Sequence, residues 1–412
     1  MVRVCWQRVR SVLPHPWMAL LALALAVPLQ SETAAANATC PVPVSATCFK
    51  KSVFDFDWVP PPKALEYPDV RFQVYNSTYG YNVEAQGTKV PGRVCQNGIC
   101  LPVEEELDGF TLFGNFLSLQ LRYAPIRQLT LYGGVFLAIP FGGDDTIDDV
   151  KPILTLNYEP TVGLNFLAGT LQPRHLFFDA IFDDLIYFLR PVEQGFQLIV
   201  DQRYYQQDLF INWQQENTTL TSERFDIGYI GKLKFGPFHV NGQVYWDHFG
   251  GEVPLPNFRP TGVRNNYVWG IGPEILLSPA EYSDRFWWWR VIGASFTFMG
   301  DHDEPDSRTK ERNSKGHAHE LRGWLEILGW RVEGSRWESD NFITSNGDQF
   351  YRAPKMTEAS VSTLYPIVQD VSIEFGAVVR FIDSQTDGWP ITIGYLAAHW
   401  NMDFNLGPFL AR

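Results

Sequence analysis

Four acidic side chains in one apolar segment are the groups of this sequence best suited to act on charged solutes. Asp179, Asp183, Asp184 and Glu193 lie in LQPRHLFFDAIFDDLIYFLRPVEQ, residues 171–194. Acids that face bases across a narrow passage set up a transverse electric field, which orients dipolar or charged solutes. Basic side chains on the polar faces of the strands described below are predicted to form the opposite wall: Arg122, Arg203, Arg224, Lys232, Arg322 and Arg380.

Segment 171–194 is too apolar to lie in water. A helical reading places Phe178, Phe182, Leu185, Ile186 and Leu189 on one stripe, at spacings of three and four. Exposing such a stripe costs about 25 cal/mol per Å², so we expect it to pack against protein and to carry the aspartates inward. In an alternative that stays open, the paired aspartates cap a short surface helix and the arginines pair with neighbouring acids.

The sequence lacks the short motifs of metal centres and hydrolases. His302, His317 and His319 have no matched further ligand, and the acidic runs 144–149 and 301–306 lack EF-hand spacing. Neither G-x-S-x-G nor H-E-x-x-H occurs. We therefore expect no metal, no cofactor and no enzymatic activity.

Four cysteines follow the amino-terminal region and suggest disulfides in an exported chain. Cys40, Cys48, Cys95 and Cys100 are the candidates, with Asn97-Gly98 as a tight turn between the last two. Local pairing, Cys40 with Cys48 and Cys95 with Cys100, is favoured over the other two connectivities.

The amino terminus predicts export. Arginines precede the apolar run WMALLALALAVPL, and ANA supplies a small-x-small cleavage pattern, so residues 1–38 are predicted to be a signal peptide. The apolar run is about 13 residues, short of the roughly 20 that a spanning helix needs. Residues 39–68 are rich in proline and are interpreted as a periplasmic lead-in.

From residue 69 to 412 the hydrophobic pattern has a period of two, which predicts strands. The clearest segment is 224–235, where apolar and aromatic side chains alternate with charged ones over the length of a tilted strand that crosses a bilayer. Segment 238–247 repeats the pattern after the turn Gly236-Pro237, which is short enough to require an antiparallel hairpin.

Short turns alternate with long polar connections along this region. That alternation is typical of outer-membrane barrels, and it predicts an all-β, single antiparallel barrel of about 16 strands, with 14 or 18 left open. Tryptophans near strand ends are predicted to form a membrane-interface girdle, because indole rings favour the headgroup level. These are Trp287, Trp288, Trp289 and Trp246.

The composition agrees with a barrel that is apolar outside and polar inside. The net charge is −13, which argues against a nucleic-acid partner bound through a basic face. Aromatic residues make up 15% of the chain, which is more than a protein of this polarity needs for a packed core.

In this arrangement the chain resembles the 16-stranded outer-membrane porins of Gram-negative bacteria. Segment 171–194 falls between the fifth and sixth predicted strands, where those porins fold a loop into the lumen. The runs RPVEQGFQL and DLFINW are also similar to those of uncharacterised outer-membrane barrels. The resemblance implies a bacterial outer-membrane location, with contacts to the lipid bilayer and lipopolysaccharide. It leaves open whether the chain forms a homotrimer.

The function expected from this resemblance is passive diffusion of small hydrophilic solutes. Two alternative functions stay open. One is a barrel scaffold or export channel that works with a periplasmic partner docked at residues 39–68. The other is an outer-membrane barrel enzyme, with a serine and a histidine at its lipid-facing rim or an acidic pair with a histidine on its outer face.

Overall fold

A computed structural model shows a closed antiparallel barrel of sixteen strands. The structure describes residues 67–407 except 86, 97–98, 143–146, 148, 173–174, 219–220, 251–262, 278–288, 305–312, 369 and 384–389. The predicted signal peptide, 1–38, and most of the predicted lead-in, 39–68, lie outside these residues. No helix in the described part of the chain is long and apolar enough to span a bilayer. The predicted fold class is confirmed.

The strands follow one another around the barrel in chain order, with one inserted hairpin. β2 and β3 form that separate hairpin, and the other strands close the barrel. The strands are β1 (Asp69–Glu84), β2 (Thr88–Gln96), β3 (Ile99–Leu107), β4 (Phe110–Ile126), β5 (Leu129–Pro140), β6 (Asp149–Thr161), β7 (Leu164–Thr170), β8 (Gln194–Gln202), β9 (Tyr205–Gln215), β10 (Arg224–Phe235), β11 (Phe238–Phe249), β12 (Arg264–Leu277), β13 (Trp289–Glu304), β14 (Ser314–Ile327), β15 (Trp330–Asp340), β16 (Lys355–Val368), β17 (Val371–Ile382) and β18 (Ile391–Asn405).

Side chains alternate between an apolar outer surface and a polar inner wall. On β13, Ile292, Phe296 and Phe298 are about two-fifths exposed on the outside, whereas Ser295 and Thr297 are buried inside. This inverts the pattern of a soluble protein and suits a wall whose outer face meets hydrocarbon. The period of two in the sequence therefore separates a lipid-facing set from a lumen-facing set.

The first and last strands close the sheet. β1 pairs with β18 from Arg71 opposite Asn405 to Glu84 opposite Thr392, and β1 also pairs with β4. Closure leaves no strand edge with unpaired backbone groups, which is a requirement for a sheet surrounded by lipid. At one end the turns are short, as at Gly236, whose φ of 62° lies in the left-handed region that glycine favours.

Two of the long connections fold back into the lumen. The first, 171–193, contains helix α1 (Leu185–Leu189), and the second, 341–354, contains a 3-10 helix (Gln349–Arg352). Their apolar side chains join inward-facing strand residues in one buried cluster, which includes Phe178, Phe182, Phe210, Tyr245, Met299, Trp337, Phe350 and Tyr351.

The helix predicted across Phe178–Leu189 is shorter than expected. Only the last five residues are helical, and Leu189 is 62% exposed. The backbone N–H of Phe178 donates to the Gln243 side chain, and that of Asp183 donates to the Asn346 carbonyl. These tertiary hydrogen bonds replace the ones a longer helix would make. The two infolded segments touch closely, since a Cβ on Gly347 would lie 2.1 Å from the Ala180 carbonyl oxygen.

His175 fixes the start of the first infolded segment to the wall. Its Nε2 lies 2.6 Å from Glu193 and its Nδ1 lies 2.9 Å from Asp208, and the ring stacks on Phe210. Burial by itself lowers the pKa of His175, but the two carboxylates outweigh burial and raise the pKa to about 10. The imidazolium is therefore part of the folded structure at neutral pH.

We expect Trp337→Ala to lower the free energy of unfolding by about 3–5 kcal/mol, because it empties the centre of the lumen cluster. Trp337 is fully buried, its indole N–H donates to the Ala353 carbonyl at 3.0 Å, and its ring packs edge-on against Tyr351. Equilibrium unfolding of the purified protein in detergent measures the loss. Trp400→Ala is the matched control, since Trp400 is 43% exposed on the outer face; equal losses would contradict the assigned packing.

We expect the stabilisation by His175 to depend on pH between its ordinary pKa and its raised one. A group whose pKa is raised on folding stabilises the folded state fully below the unfolded pKa of 6.5, and this contribution is lost as pH rises toward about 10. His175→Gln should cost roughly 3–5 kcal/mol near pH 6 and progressively less toward pH 10. Unfolding free energies of both proteins across that range test this, with His317→Gln on the outer face as control. A pH-independent difference would show that the folded state holds His175 neutral.

Candidate active site

Barrel closure places a serine beside a histidine on the inner wall. Ser77 on β1 and His399 on β18 are direct register partners, and their side chains face the lumen, where both are buried. Ser77 Oγ lies 3.1 Å from His399 Nδ1. A hydroxyl in hydrogen-bond contact with an imidazole is the arrangement that activates a serine as a nucleophile.

A carboxylate completes the arrangement from the next strand. Glu374 on β17 is the register partner of Ala397, two residues before His399, and its Oε2 lies 3.3 Å from His399 Nε2. When Nε2 carries the proton and donates it to Glu374, Nδ1 is left free to accept the proton of Ser77. Ser77, His399 and Glu374 thus have the order of nucleophile, base and orienting acid.

Glu374 has a further property that suits a ligand site. It is only 2% exposed, and among the described residues no hydrogen-bond partner reaches its Oε1. A buried carboxylate oxygen without a partner is costly, so such atoms often face a position that a ligand fills.

A cavity adjoins Glu374, between the two infolded segments and strands β1, β17 and β18. Glu374 lines it, and so do Tyr79 and Ala397, which lie two residues from Ser77 and His399 on the same inner face. The rest of the lining is partly apolar and partly acidic: Phe188, Val378, Ile393, Tyr81, Tyr395, Asp179, Asp183, Asp184, Asp348 and Arg380.

The structure brings part of the predicted constriction together. Asp179, Asp183 and Asp184 line this cavity with Arg380. Burial raises the pKa of Asp179 well above its ordinary value, and the nearby Asp184 raises it further. Burial, and after it the carboxylate of Asp348, does the same for Asp183. Asp179 and Asp183 therefore hold their protons to higher pH than their residue types indicate.

The other predicted constriction residues are spread over separate ion pairs. Glu193 binds His175, and Arg203 lies in the β8–β9 turn, 5.1 Å above the Tyr204 ring. The remaining bases each face a carboxylate on the inner wall. The pairs are Arg122 with Asp69, Arg224 with Asp247 at 3.4 Å, Lys232 with Glu274 at 2.9 Å, and Arg322 with Glu333 at 2.9 Å and Glu320 at 3.0 Å. A pore constriction made by these residues stays a prediction.

The predicted girdle falls partly within the described residues. Trp246 faces outward near the long-loop end of β11 and stacks on Tyr267, with ring centroids 5.5 Å apart. Trp287 and Trp288 lie outside the described residues, and Trp289 is described only through its backbone, at the start of β13.

The cysteines and the histidines proposed as ligands are placed as follows. Cys95 and Cys100 are register partners in the β2–β3 hairpin, whereas Cys40 and Cys48 lie outside the described residues, so the disulfides stay a prediction. Within the described residues, no group of three or more histidine, cysteine, aspartate or glutamate side chains is arranged to hold a metal ion.

Solved structures that resemble the chain are outer-membrane proteins. They include a loop-deletion mutant of OmpT from Vibrio cholerae (9% identity, TM-score 0.47, covering 81% of this chain and 100% of that one). An anion-selective porin from Comamonas acidovorans (10%, 0.45, 81% and 99%) and OccK8 (OprE) from Pseudomonas aeruginosa (9%, 0.40, 82% and 98%) also match. No curated protein matches the chain significantly. The fold assignment rests on the strand order of the chain itself.

A family model, described as lipid A 3'-O-deacylase-type, matches residues 69–380, about three quarters of the chain. This family is an enzyme family, so the expectation that the chain has no enzymatic activity is wrong. Contiguous motifs could not indicate Ser77, Glu374 and His399, because these residues meet only through strand register. A closed barrel with an apolar outer face, in this family, is located in the bacterial outer membrane, as predicted. The chain belongs to the lipid A 3'-O-deacylase-type family.

Proposed function

We propose that the chain is a carboxylic ester hydrolase in which Ser77 is the nucleophile. The proposal rests on the hydrogen-bonded series Ser77, His399 and Glu374 beside a cavity. Ser77 Oγ lies 3.1 Å from His399 Nδ1, and His399 Nε2 lies 3.3 Å from Glu374 Oε2. The family description supports the same reaction class, since removal of an O-linked acyl group is ester hydrolysis.

The first half-reaction forms an acyl-serine. Ser77 Oγ attacks the ester carbonyl carbon while His399 Nδ1 takes the hydroxyl proton, and a tetrahedral intermediate forms. The bond from that carbon to the alkoxy oxygen then breaks, and His399 returns the proton to the leaving alcohol. Glu374 keeps the ring oriented and stabilises the imidazolium.

The second half-reaction regenerates the serine. His399 removes a proton from a water molecule, whose oxygen attacks the acyl carbon, and the bond to Ser77 Oγ breaks. Ser77 recovers its proton from His399, and the products are a carboxylic acid and the alcohol. The low exposure of all three side chains keeps bulk water away from the charged intermediates.

The substrate proposed from the family description is an acyl ester of lipid A, carried by the lipopolysaccharide that the sequence led us to expect as a partner. The aromatic and aliphatic part of the cavity, with Tyr79, Phe188, Val378 and Ile393, offers apolar contact for a hydrocarbon group. Ser77 and His399 face the lumen next to Tyr79 and Ala397, which line the cavity, so the path proposed for the ester runs through this cavity.

We expect Ser77→Ala to lower the rate of ester hydrolysis at least about 10³-fold, because it removes the nucleophile and leaves the wall intact. Ser372→Ala is the matched control, since Ser372 is the register partner of His399 on the opposite side, on β17. Mass spectrometry of lipid A incubated with each purified protein measures the acyl groups released, and the same method detects a fluorophosphonate adduct on Ser77.

Two outcomes would contradict this assignment. One is full activity in a correctly folded Ser77→Ala protein, which would move the reaction elsewhere on the barrel. The other is equal loss in Ser77→Ala and Ser372→Ala, which would indicate that both changes act on the wall rather than on the nucleophile.

Passive diffusion of small hydrophilic solutes is the second candidate function. The polar inner wall favours it, with buried Gln73, Ser118, Gln120 and Asn157 facing the lumen. It ranks second because segments 171–193 and 341–354 occupy lumen space with packed aromatic side chains. Stepwise conductance of purified protein in planar bilayers tests for an open path.

If such a path exists, we expect the reversal potential of the Asp179→Asn/Asp183→Asn double variant to differ least from that of the unmodified protein at low pH and progressively more as pH rises. Burial and neighbouring carboxylates raise the pKa of both carboxyls, so the amides remove least charge at low pH. Raising the pH ionises these groups in the unmodified protein alone and should give it the stronger cation preference. Reversal potentials under a salt gradient from pH 6 to 10 measure this; a difference that does not change with pH would contradict it.

A further inference from the structure

The cavity beside Ser77 has an excess of carboxyl groups. Five line it and only one guanidinium does. That guanidinium, on Arg380, is already bound by Asp348 and by Glu358, the latter at 2.6 Å. Arg380 also lies near Asp179 and Asp183 on the first infolded segment, so one guanidinium is shared among several carboxyl groups.

Two observations indicate that the cavity receives a hydrogen-bond donor. The buried Glu374 Oε1 has no partner among the described residues. Within the described part of the chain, the bond that Asp183 accepts comes from the backbone N–H of Leu185, two residues along its own segment, at 2.9 Å. Carboxyl oxygens accept hydrogen bonds when ionised, so a donor with positive charge satisfies them best.

The shape and lining of the cavity define the class of ligand. Beside the carboxyl groups, Tyr79, Phe188 and Val378 provide aromatic and aliphatic contact. An ammonium group on a short carbon chain matches both parts, because aromatic faces attract cations while the chain contacts apolar side chains.

We propose that this cavity binds a primary ammonium group carried on a short carbon chain, and that the ester substrate is therefore amine-bearing. The second part rests on the proposed ester hydrolysis, whereas the binding itself does not.

Binding is coupled to proton release. Burial and neighbouring carboxylates raise the pKa of Asp179 and Asp183, and an incoming ammonium favours their ionised forms. Affinity therefore increases as pH rises, as long as the ammonium stays charged, which for an alkylamine holds to about pH 10. The charged and titratable groups that face the two aspartates are Asp184, Asp348, Glu358, Glu374, Tyr81, Arg322 and Arg380.

Calorimetric titration of the full chain in non-ionic detergent tests the proposal, with butane-1,4-diamine as probe and butane-1,4-diol as its uncharged isostere. We expect the diamine to bind, the diol not to bind, and diamine affinity to increase from pH 6 to pH 8. Asp184→Asn and Asp179→Asn should each weaken binding at least about tenfold. Asp340→Asn, at the exposed outer end of β15, should leave it unchanged.

Several results would overturn the proposal: no diamine binding, equal binding of the diol, affinity that falls as pH rises, or equal weakening by Asp340→Asn. The diol and pH measurements need no variant, so a variant that fails to fold leaves the test intact. Ser77→Ala should bind the diamine normally. An inactive Ser77→Ala protein that binds it supports both proposals, whereas an active one that binds it contradicts only the assignment of the nucleophile.

Discussion

Closure of the sheet is the constraint on which the rest of the structure depends. A strand edge in hydrocarbon leaves backbone groups unpaired at several kcal/mol each, so β1 must pair with β18. That seam joins residues from opposite ends of the described chain and places Ser77 beside His399, 322 positions apart in sequence. The chemistry proposed for the inner wall is therefore a product of the same pairing that makes the barrel stable in a membrane.

Closure also reverses the usual distribution of polar groups. With the outer face in lipid, polar side chains collect inside, where each needs a partner. Most find one across the wall, as Lys232 does with Glu274 and Arg331 does with Glu326. Glu374 is informative because one of its oxygens binds His399 and the other has no partner in the described residues. Several other buried polar atoms of the described residues also have no partner, but Glu374 combines such an atom with a hydrogen bond to His399 and a place in the cavity lining.

The architecture could be predicted from the sequence because alternate side chains face two different environments, lipid on the outside and the polar lumen on the inside. Segment 224–235 was recognised with the bounds of β10, and Gly236-Pro237 was recognised as the turn to β11. The inward folding of segment 171–193 also followed from its composition. The short length of its helix could not be predicted, because Phe178 and Asp183 form hydrogen bonds with Gln243 and Asn346, which are remote in sequence.

The site was beyond the same reasoning. Strand faces can be read from alternation, but register cannot, and a shift of one residue in the β1–β18 pairing would separate Ser77 from His399. The charges of the predicted acids could not be inferred from residue type either. Residue type gives a carboxyl group its ordinary pKa, whereas burial raises the pKa of Asp179 and Asp183.

The two infolded segments connect the barrel to the proposed chemistry. The wall alone would leave Ser77, His399 and Glu374 in an aqueous lumen, where water competes for each hydrogen bond and weakens the field between charges. Segment 171–193, fixed at His175 and against Gly347, covers this part of the wall and turns an open channel into a cavity. An infolded segment that would narrow a pore can also, under the proposed function, keep water away from Ser77. A loop folded into a lumen is therefore weak evidence for solute passage unless the wall beneath it lacks reactive groups.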